Sequence, residues 1–143
     1  MMSEVLLSGL IAAVISPIIV LFIQHKCIWK SQKNLEIKYS IFNDAVKALS
    51  LYMVDALTPE IQEQKKSYKG FARAVECRPE TWELIEKSRA MIRAFFLKET
   101  LEKYEKAINS ELSIENIPNT DFEKNRTETI IALSKEIKKI GIR

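Results

Sequence analysis

The sequence predicts an all-α protein in which a single N-terminal transmembrane helix continues into a small cytosolic helical bundle. Three observations predict it: an uncharged apolar run at residues 5–23, a seven-residue apolar repeat that follows without Gly or Pro, and helix-terminating residues between the later apolar segments. We expect an N-terminal anchor at residues 1–25, a juxtamembrane helix at 26–57, and a helical domain at 58–143 that packs with the juxtamembrane helix.

The apolar run is long enough to cross a bilayer. A helix over residues 5–23 spans about 28 Å, close to the roughly 30 Å of a hydrocarbon core. The alternative is a buried core helix of a soluble domain, but core helices rarely run so long without a polar face. A cleaved signal peptide would have basic residues before a shorter apolar core and a small-residue cleavage site after it. Only Glu4 is charged before the run, and QHKCIWK follows it, so we expect a retained anchor.

The basic residues predict the orientation of the anchor. Lys26, Lys30, Lys33 and Lys38 follow the run, and no Lys or Arg precedes it. By the positive-inside rule the N-terminus faces outwards and residues 26–143 are cytoplasmic, on the inner (cytoplasmic) membrane of the cell. No ionisable residue lies within the run, so one copy cannot conduct ions.

Small residues form two rows on the anchor, one of Ser8, Ala12 and Ser16 and one of Gly9 and Ala13. Small residues at a four-residue spacing let two membrane helices approach closely, which predicts a homo-oligomer within the lipid bilayer. The same residues are also common in membrane helices generally, and this alternative stays open.

An apolar stripe and helix-terminating residues predict the helices that follow the anchor. Leu35, Phe42, Leu49 and Ala56 form an apolar stripe on the first cytosolic helix, beside a second row of Tyr39, Val46 and Met53. Thr58 and Pro59 end that helix and begin the next, with Thr58 as N-cap and Pro59 at the first helical position.

We predict one further helix from Pro79 to about Asn109 and a last one after a connector at residues 113–119. The connector is expected to be extended at Ile114 and Ile117. Thr120 and Glu123 have the spacing of a capping box, and Gly141 stands where a C-terminal cap belongs.

The inventory of residues argues against an enzyme. The chain has one His, at position 25, two Cys fifty residues apart and three Gly. These cannot supply a His-based catalytic triad, a metal site or a phosphate-binding loop, so we expect no catalytic residues, no metal and no cofactor. Beyond residue 25 the 22 basic and 18 acidic residues leave a net charge of +4, too mild to predict general nucleic-acid binding.

The best candidate for a binding surface is a basic window at residues 65–78 and the arginines that follow it. The window has five basic residues and one acid, with Tyr68, Phe71 and Trp82 interleaved or close by. Arginine suits phosphate and carboxylate groups, and aromatic rings suit bases. We predict an anion or nucleotide site formed by Lys65, Tyr68, Lys69, Arg73, Arg78, Arg89 and Arg93.

Three other interpretations of these residues remain open. The basic surface could attract anionic lipids. Arg89 and Arg93 could form intrahelical salt bridges with Glu83, Glu86 or Glu99. The aromatic residues could belong to the core.

In the order and size of its parts, an apolar anchor followed by about 118 residues, the chain resembles the membrane effectors of type III CRISPR antiphage systems that respond to cyclic oligoadenylates. The resemblance implies an oligomer, a cyclic nucleotide ligand held by Lys, Arg and aromatic residues, and membrane disruption after ligand binding. The nearest matching residues are Lys65, Tyr68, Lys69, Arg73 and Arg78. The alternatives are a membrane-anchored adaptor or scaffold that binds a protein along the Leu35/Phe42/Leu49 stripe, and a phage holin or exclusion protein.

Overall fold

The computed structural model describes residues 2–67 and 77–141, without the side chains of 2–8, 10–12, 64–67, 116 and 141. All regular structure in these residues is helical, which confirms the all-α prediction. The elements are α1 (Met2–Ala56), α2 (Pro59–Ser67), α3 (Pro79–Phe95), α4 (Lys98–Asn109), a 3-10 helix (Ile114–Asn116) and α5 (Thr120–Gly141). The chain divides into two compact units, Met1–Glu36 and Ile37–Arg143.

The first unit consists of the N-terminal part of α1. Within the described residues, α1 is the one helix long and apolar enough to cross a membrane. It continues through Pro17, and every residue from 13 to 34 is exposed. Of the small residues expected to mediate self-association, Gly9, Ala13 and Ser16 are exposed, while the side chains of Ser8 and Ala12 lie outside the description.

The second unit is a bundle of four antiparallel helical segments, residues 37–56 of α1, α3, α4 and α5. Thr81 forms a hydrogen bond with Asp55, and Lys87 forms an ion pair with Asp44. Helix α3 is therefore antiparallel to α1. The rings of Tyr52 and Phe122 lie 5.9 Å apart, at the C-terminal part of α1 and the start of α5. Side-chain contacts also join α3 to α4, between residues 85–89 and 104–105, and α4 to α5, at Ser110 with Asn125 and Thr100 with Glu136. The core is therefore enclosed by all four segments.

This arrangement gives the bundle two ends, named here by where α1 enters. The entry end contains residues 37–39, the corner between α3 and α4, and the last turns of α5. Lys38 lies over the Phe96 ring there, with its Nζ 4.8 Å from the ring centroid. The far end contains the end of α1, α2, the start of α3 and the 3-10 helix. Gln62 of α2 connects these parts by donating to the carbonyls of Ala56 and Leu112.

The buried face of α1 differs in part from the predicted stripe. Leu49 and Ala56 are buried as predicted, but Phe42, Val46 and Met53 are only half-buried and Tyr39 is exposed. The buried face is rotated relative to the predicted stripe and includes two small residues, Ala45 and Ala48. Its fully buried members are Ile41, Ala45, Ala48, Leu49, Tyr52, Asp55 and Ala56.

The predicted boundary at Thr58 and Pro59 is confirmed, since α1 ends at Ala56 and α2 begins at Pro59. The carbonyl of Thr58 accepts the first hydrogen bond of α2, from Gln62 N. Its hydroxyl points backwards and donates to the Asp55 carbonyl at 2.7 Å. The Thr58 side chain therefore satisfies a free carbonyl at the end of α1, and the Thr58 backbone satisfies a free N–H at the start of α2.

The prediction of one helix from Pro79 to Asn109 is wrong, because α3 ends at Phe95 and α4 begins at Lys98. No Gly or Pro marks the break. It is stabilised by Glu136 of α5, whose carboxylate accepts from the Leu97 backbone N–H at 3.0 Å and from the Thr100 hydroxyl. A buried carboxylate at a helix N-terminus satisfies free N–H groups and interacts favourably with the helix dipole.

The connector before α5 also differs from the prediction. Ile114 begins a 3-10 helix, whereas Ile117 is extended as expected and its bond to Pro118 is cis. The prediction of a capping box with Thr120 as N-cap is wrong, because Asn119 occupies the N-cap position. Asn119 precedes the helix, its carbonyl accepts from Glu123 N, and its side chain accepts from Ser113 N. The last helix ends at Gly141, where we expected a terminus.

Candidate functional site

Three predicted site residues lie on one side of α3, spread over about 22 Å from Arg78 at its start to Arg93 in its last turn. Pro79 occupies its first turn, so the helix begins directly after Arg78. At 100° per residue, Arg78, Trp82, Arg89 and Arg93 fall within about 60° of one flank of the helix. We call this flank the arginine face. The rest of the predicted set lies elsewhere: Tyr68, Lys69 and Arg73 are outside the described residues, and Lys65 is in α2 with its side chain outside them.

Arg89 is held by acidic residues of the bundle. Its Nη1 lies 2.6 Å from the Glu86 carboxylate one turn earlier, and its Nε lies 3.8 Å from Glu105 on α4. The Arg89 side chain is only 21% exposed. The interpretation of Arg89 as a salt-bridge partner therefore describes its contacts, and its charge is already compensated within one protomer.

Arg78 is bound more loosely. Its Nε lies 3.7 Å from a carboxylate oxygen of Asp55, a distance too long for a hydrogen bond, and its side chain is 69% exposed. The buried Asp55 makes its short contacts elsewhere, accepting from the Thr81 hydroxyl at 2.5 Å and from Arg78 N at 3.2 Å. The guanidinium can therefore turn towards solvent while Asp55 keeps its other contacts.

Arg93 and Trp82 complete the arginine face. Arg93 is exposed and has no ion pair among the described residues. Trp82, one turn after Arg78, is about one-third exposed, which leaves part of its indole accessible. The Trp82 ring could stack on a planar base beside the Arg78 guanidinium, whereas Arg93 lies eleven residues, about 16 Å, further along the helix.

A groove opens beside Arg78 at the far end of the bundle. Its volume is about 440 Å³, within the range of small-ligand sites. Glu60 also contributes to the wall, so the described lining carries both signs of charge. The groove is lined by Thr58, Pro59, Glu60, Ile61, Cys77, Arg78 and Pro79.

The reactive side chains outside the arginine face include a buried phenol and two thiols. The Tyr104 hydroxyl donates to the Ile85 carbonyl at 3.1 Å, and burial raises the pKa of this phenol well above its usual range. Cys77 is buried, whereas Cys27 is exposed on α1. Within residues 2–67 and 77–141, no three His, Cys, Asp or Glu side chains come together as metal ligands would.

Sequence reasoning missed three acidic residues that organise the site and the bundle, namely Asp55, Glu105 and Glu136. The signal for Asp55 was its position next to Ala56, on the edge of the apolar stripe, where a charge demands a partner. Glu105 and Glu136 contact residues on other helices, and no local pattern identifies such pairs.

No protein-family model, no curated protein and no solved structure matches the chain. The geometry alone therefore defines its class: a helical bundle whose first helix also contains an exposed apolar segment, with an arginine face on its second long helix.

Proposed function

We propose that this chain is a non-enzymatic, single-pass membrane effector. In this proposal the N-terminal part of α1 spans the cytoplasmic membrane, the bundle lies in the cytoplasm, and the arginine face binds an anionic ligand of the cyclic oligonucleotide class. Ligand binding acts on an oligomer of the membrane segment, as in antiphage defence.

The exposed apolar run is the observation that carries the proposal. From Val14 to Ile23 the large apolar side chains are 46–68% exposed, and no described residue of the run is buried. Water would solvate this surface at a cost of about 25 cal/mol per Å² relative to an apolar environment. A bilayer removes that cost, and the helix satisfies its own backbone hydrogen bonds there.

The location of Arg78 favours a soluble anion over a lipid headgroup. It lies at the far end of the bundle, opposite the end at which α1 enters. Trp82 is accessible one turn after Arg78, and Arg93 lies on the same side of α3 about 22 Å further along, near the entry end. From the neighbouring sequence, Lys65, Lys69 and Arg73 would add positive charge for an anion with several phosphates, and Tyr68 would add a ring for a base.

Asp55 connects Arg78 to α1. It belongs to the last turn of α1 and touches both Arg78 and Thr81. An anion that attracts the Arg78 guanidinium would remove one of the three contacts by which Asp55 joins α1 to the start of α3, leaving those to Arg78 N and the Thr81 hydroxyl. A ligand shifts the equilibrium between two arrangements only by its difference in affinity for them. Sites shared between copies in an oligomer provide such a difference.

The ligand is tested with the full chain in nanodiscs. Thermal unfolding is followed against cyclic mono-, di- and oligonucleotides, and the expected result is a stabilisation that saturates with one compound. Arg78→Gln and Arg93→Gln should remove it, whereas Lys124→Gln, an equal loss of charge on α5, should not. Full-affinity binding by folded Arg78→Gln and Arg93→Gln variants would refute the site assignment.

A membrane-anchored adaptor is the second candidate, and one observation favours it. A cleft of about 100 Å³ between α1 and α5 includes the exposed Tyr39 and the half-buried Phe42 of the predicted stripe. A protein partner that requires these two aromatic side chains, with no nucleotide shifting the unfolding temperature, would favour the adaptor over the ligand-gated effector.

A further inference from the structure

We propose that the entry end of the bundle is a binding surface for anionic lipid headgroups, an inference that rests on the membrane anchoring proposed above. Its residues are Lys38, Phe95, Leu97, Lys98, Lys138 and Lys139. They come from α1, the α3–α4 corner and the last turn of α5.

Lys98 is the residue whose position calls for an external partner. It is the first residue of α4, where the positive end of the helix dipole disfavours a cation. Its side chain is 88% exposed, and its nearest acid, Glu102, lies 3.9 Å away at the limit of an ion pair. A lysine at this position gains little within the bundle, whereas Lys138 and Lys139 also interact favourably with the C-terminal dipole of α5.

Leu97 adds an exposed apolar side chain between these cations. It occupies the N-cap of α4, where Ser, Thr, Asp or Asn is strongly preferred, and it is 58% exposed. Glu136 already accepts the Leu97 N–H, so the side chain at position 97 is not needed for capping. Together with the partly exposed Phe95, Leu97 makes the corner apolar as well as basic, a combination typical of surfaces that lie on anionic membranes.

The local acids do not cancel this charge. Glu99 is paired with Lys103 at 3.4 Å, Glu102 is at the edge of contact with Lys98, and Glu136 is buried. The far end differs, since its described and exposed side chains include Glu60, Glu111 and Asp121 together with Arg78. Exposed apolar side chains occur at both ends, including Ile114 and Ile117 at the far end, but among the described residues the exposed charges beside them have a basic excess at the entry end and an acidic excess at the far end.

An anionic leaflet is the partner that fits this location. The entry end is the part of the bundle that follows the apolar run first, and fifteen residues of α1, about 22 Å of helix, separate Ile23 from Lys38. Headgroups therefore reach the entry end in the arrangement in which the bundle lies against the leaflet. Each Lys near an anionic surface favours binding by about fivefold, so three would favour the lipid-bound arrangement by about a hundredfold.

The test places an environment-sensitive fluorophore at each end of the bundle in the full chain. Leu97→Cys and Ile117→Cys are made in a Cys27→Ser background, and the two positions are 58% and 61% exposed. Each labelled protein is reconstituted in nanodiscs of phosphatidylcholine alone or with phosphatidylglycerol. The parent Cys27→Ser protein corrects for labelling at the buried Cys77.

We expect the emission of the label at position 97 to shift to shorter wavelength when phosphatidylglycerol is present, and the label at 117 to stay unchanged. Replacing Lys98, Lys138 and Lys139 by Gln should abolish the shift without lowering the unfolding temperature in phosphatidylcholine. A chain that inserts in both lipids with the same emission at 97 contradicts this inference and leaves the anchor intact. A chain that associates with neither lipid overturns the proposed anchor and this inference together.

Discussion

The same kinds of side chain are exposed in one part of α1 and buried in the bundle. Ile18 and Leu21 of the first unit are more than half exposed, whereas Ile41 and Leu49, on the same helix, are almost completely buried. The difference lies in what surrounds these residues, because Ile41 and Leu49 belong to the bundle, where α3 and α5 pack against α1. One helix therefore has two kinds of apolar surface: one that packs against other helices of the bundle and one that is exposed.

The largest effect is expected when charged residues are introduced into the exposed apolar run. Val14→Lys combined with Ile18→Lys should release the chain from membranes, because each lysine costs about 2.5–3.5 kcal/mol within a membrane helix. Flotation of the full chain with vesicles measures this. Val54→Lys is the matched control, since Val54 lies on the same helix and is similarly exposed, but it belongs to the bundle. Equal flotation of the double-lysine variant and the control would show that the run is not the anchor.

A smaller effect separates buried from exposed apolar residues within α5. Leu133→Ala should destabilise the bundle by about 2–5 kcal/mol, since Leu133 is completely buried. Ile131→Ala, two residues earlier and nearly half exposed, should cost about 0.5 kcal/mol or less. Denaturant unfolding followed by circular dichroism measures both. Similar losses in the two variants would contradict the packing described for α5.

The break between α3 and α4 tests the polar contacts of the bundle. Glu136→Ala should cost about 1–3 kcal/mol, because it leaves the Leu97 N–H and the Thr100 hydroxyl without their acceptor. Glu136→Gln retains an acceptor oxygen and should cost less. Amide hydrogen exchange at residues 97–100 should rise in the alanine variant. Unchanged exchange there would mean that another group stabilises the break.

The smallest effect is a dependence on alkaline pH. Burial raises the pKa of Tyr104 in the folded state, so the neutral phenol stabilises the fold below the unfolded pKa of about 10. That contribution is lost as the pH rises above this value, because the unfolded chain ionises first. Tyr104→Phe should remove this part of the slope and cost about 0.5–1.5 kcal/mol at neutral pH for the lost hydrogen bond to Ile85. Identical slopes of stability against pH above 10 in both proteins would refute the burial of this hydroxyl.

Local signals in the sequence predicted the helical class and the boundary at Thr58 and Pro59, because backbone chemistry decides these features. The break after Phe95 could not be predicted, since it depends on Glu136, forty residues further along the chain. The rotated face of α1 was missed because Ala45 and Ala48 are weak apolar signals that become informative only when a partner helix approaches closely. At the candidate site, the sequence predicted Arg78, Arg89 and Arg93, but the contacts that distinguish the held Arg89 from the freer Arg93 come from Glu86 and Glu105.

The most direct test of the account is the topology of the full chain in the cytoplasmic membrane. Thr127→Cys, exposed on α5, is placed in the Cys27→Ser background and treated in spheroplasts with a membrane-impermeant maleimide. Ser3→Cys in the same background serves as the opposite marker. The account predicts that position 3 reacts in intact spheroplasts, that position 127 reacts only after lysis, and that both proteins remain in membranes after alkaline carbonate extraction. Reaction at position 127 before lysis, or release of the chain by carbonate, would contradict a single-pass anchor with a cytoplasmic bundle.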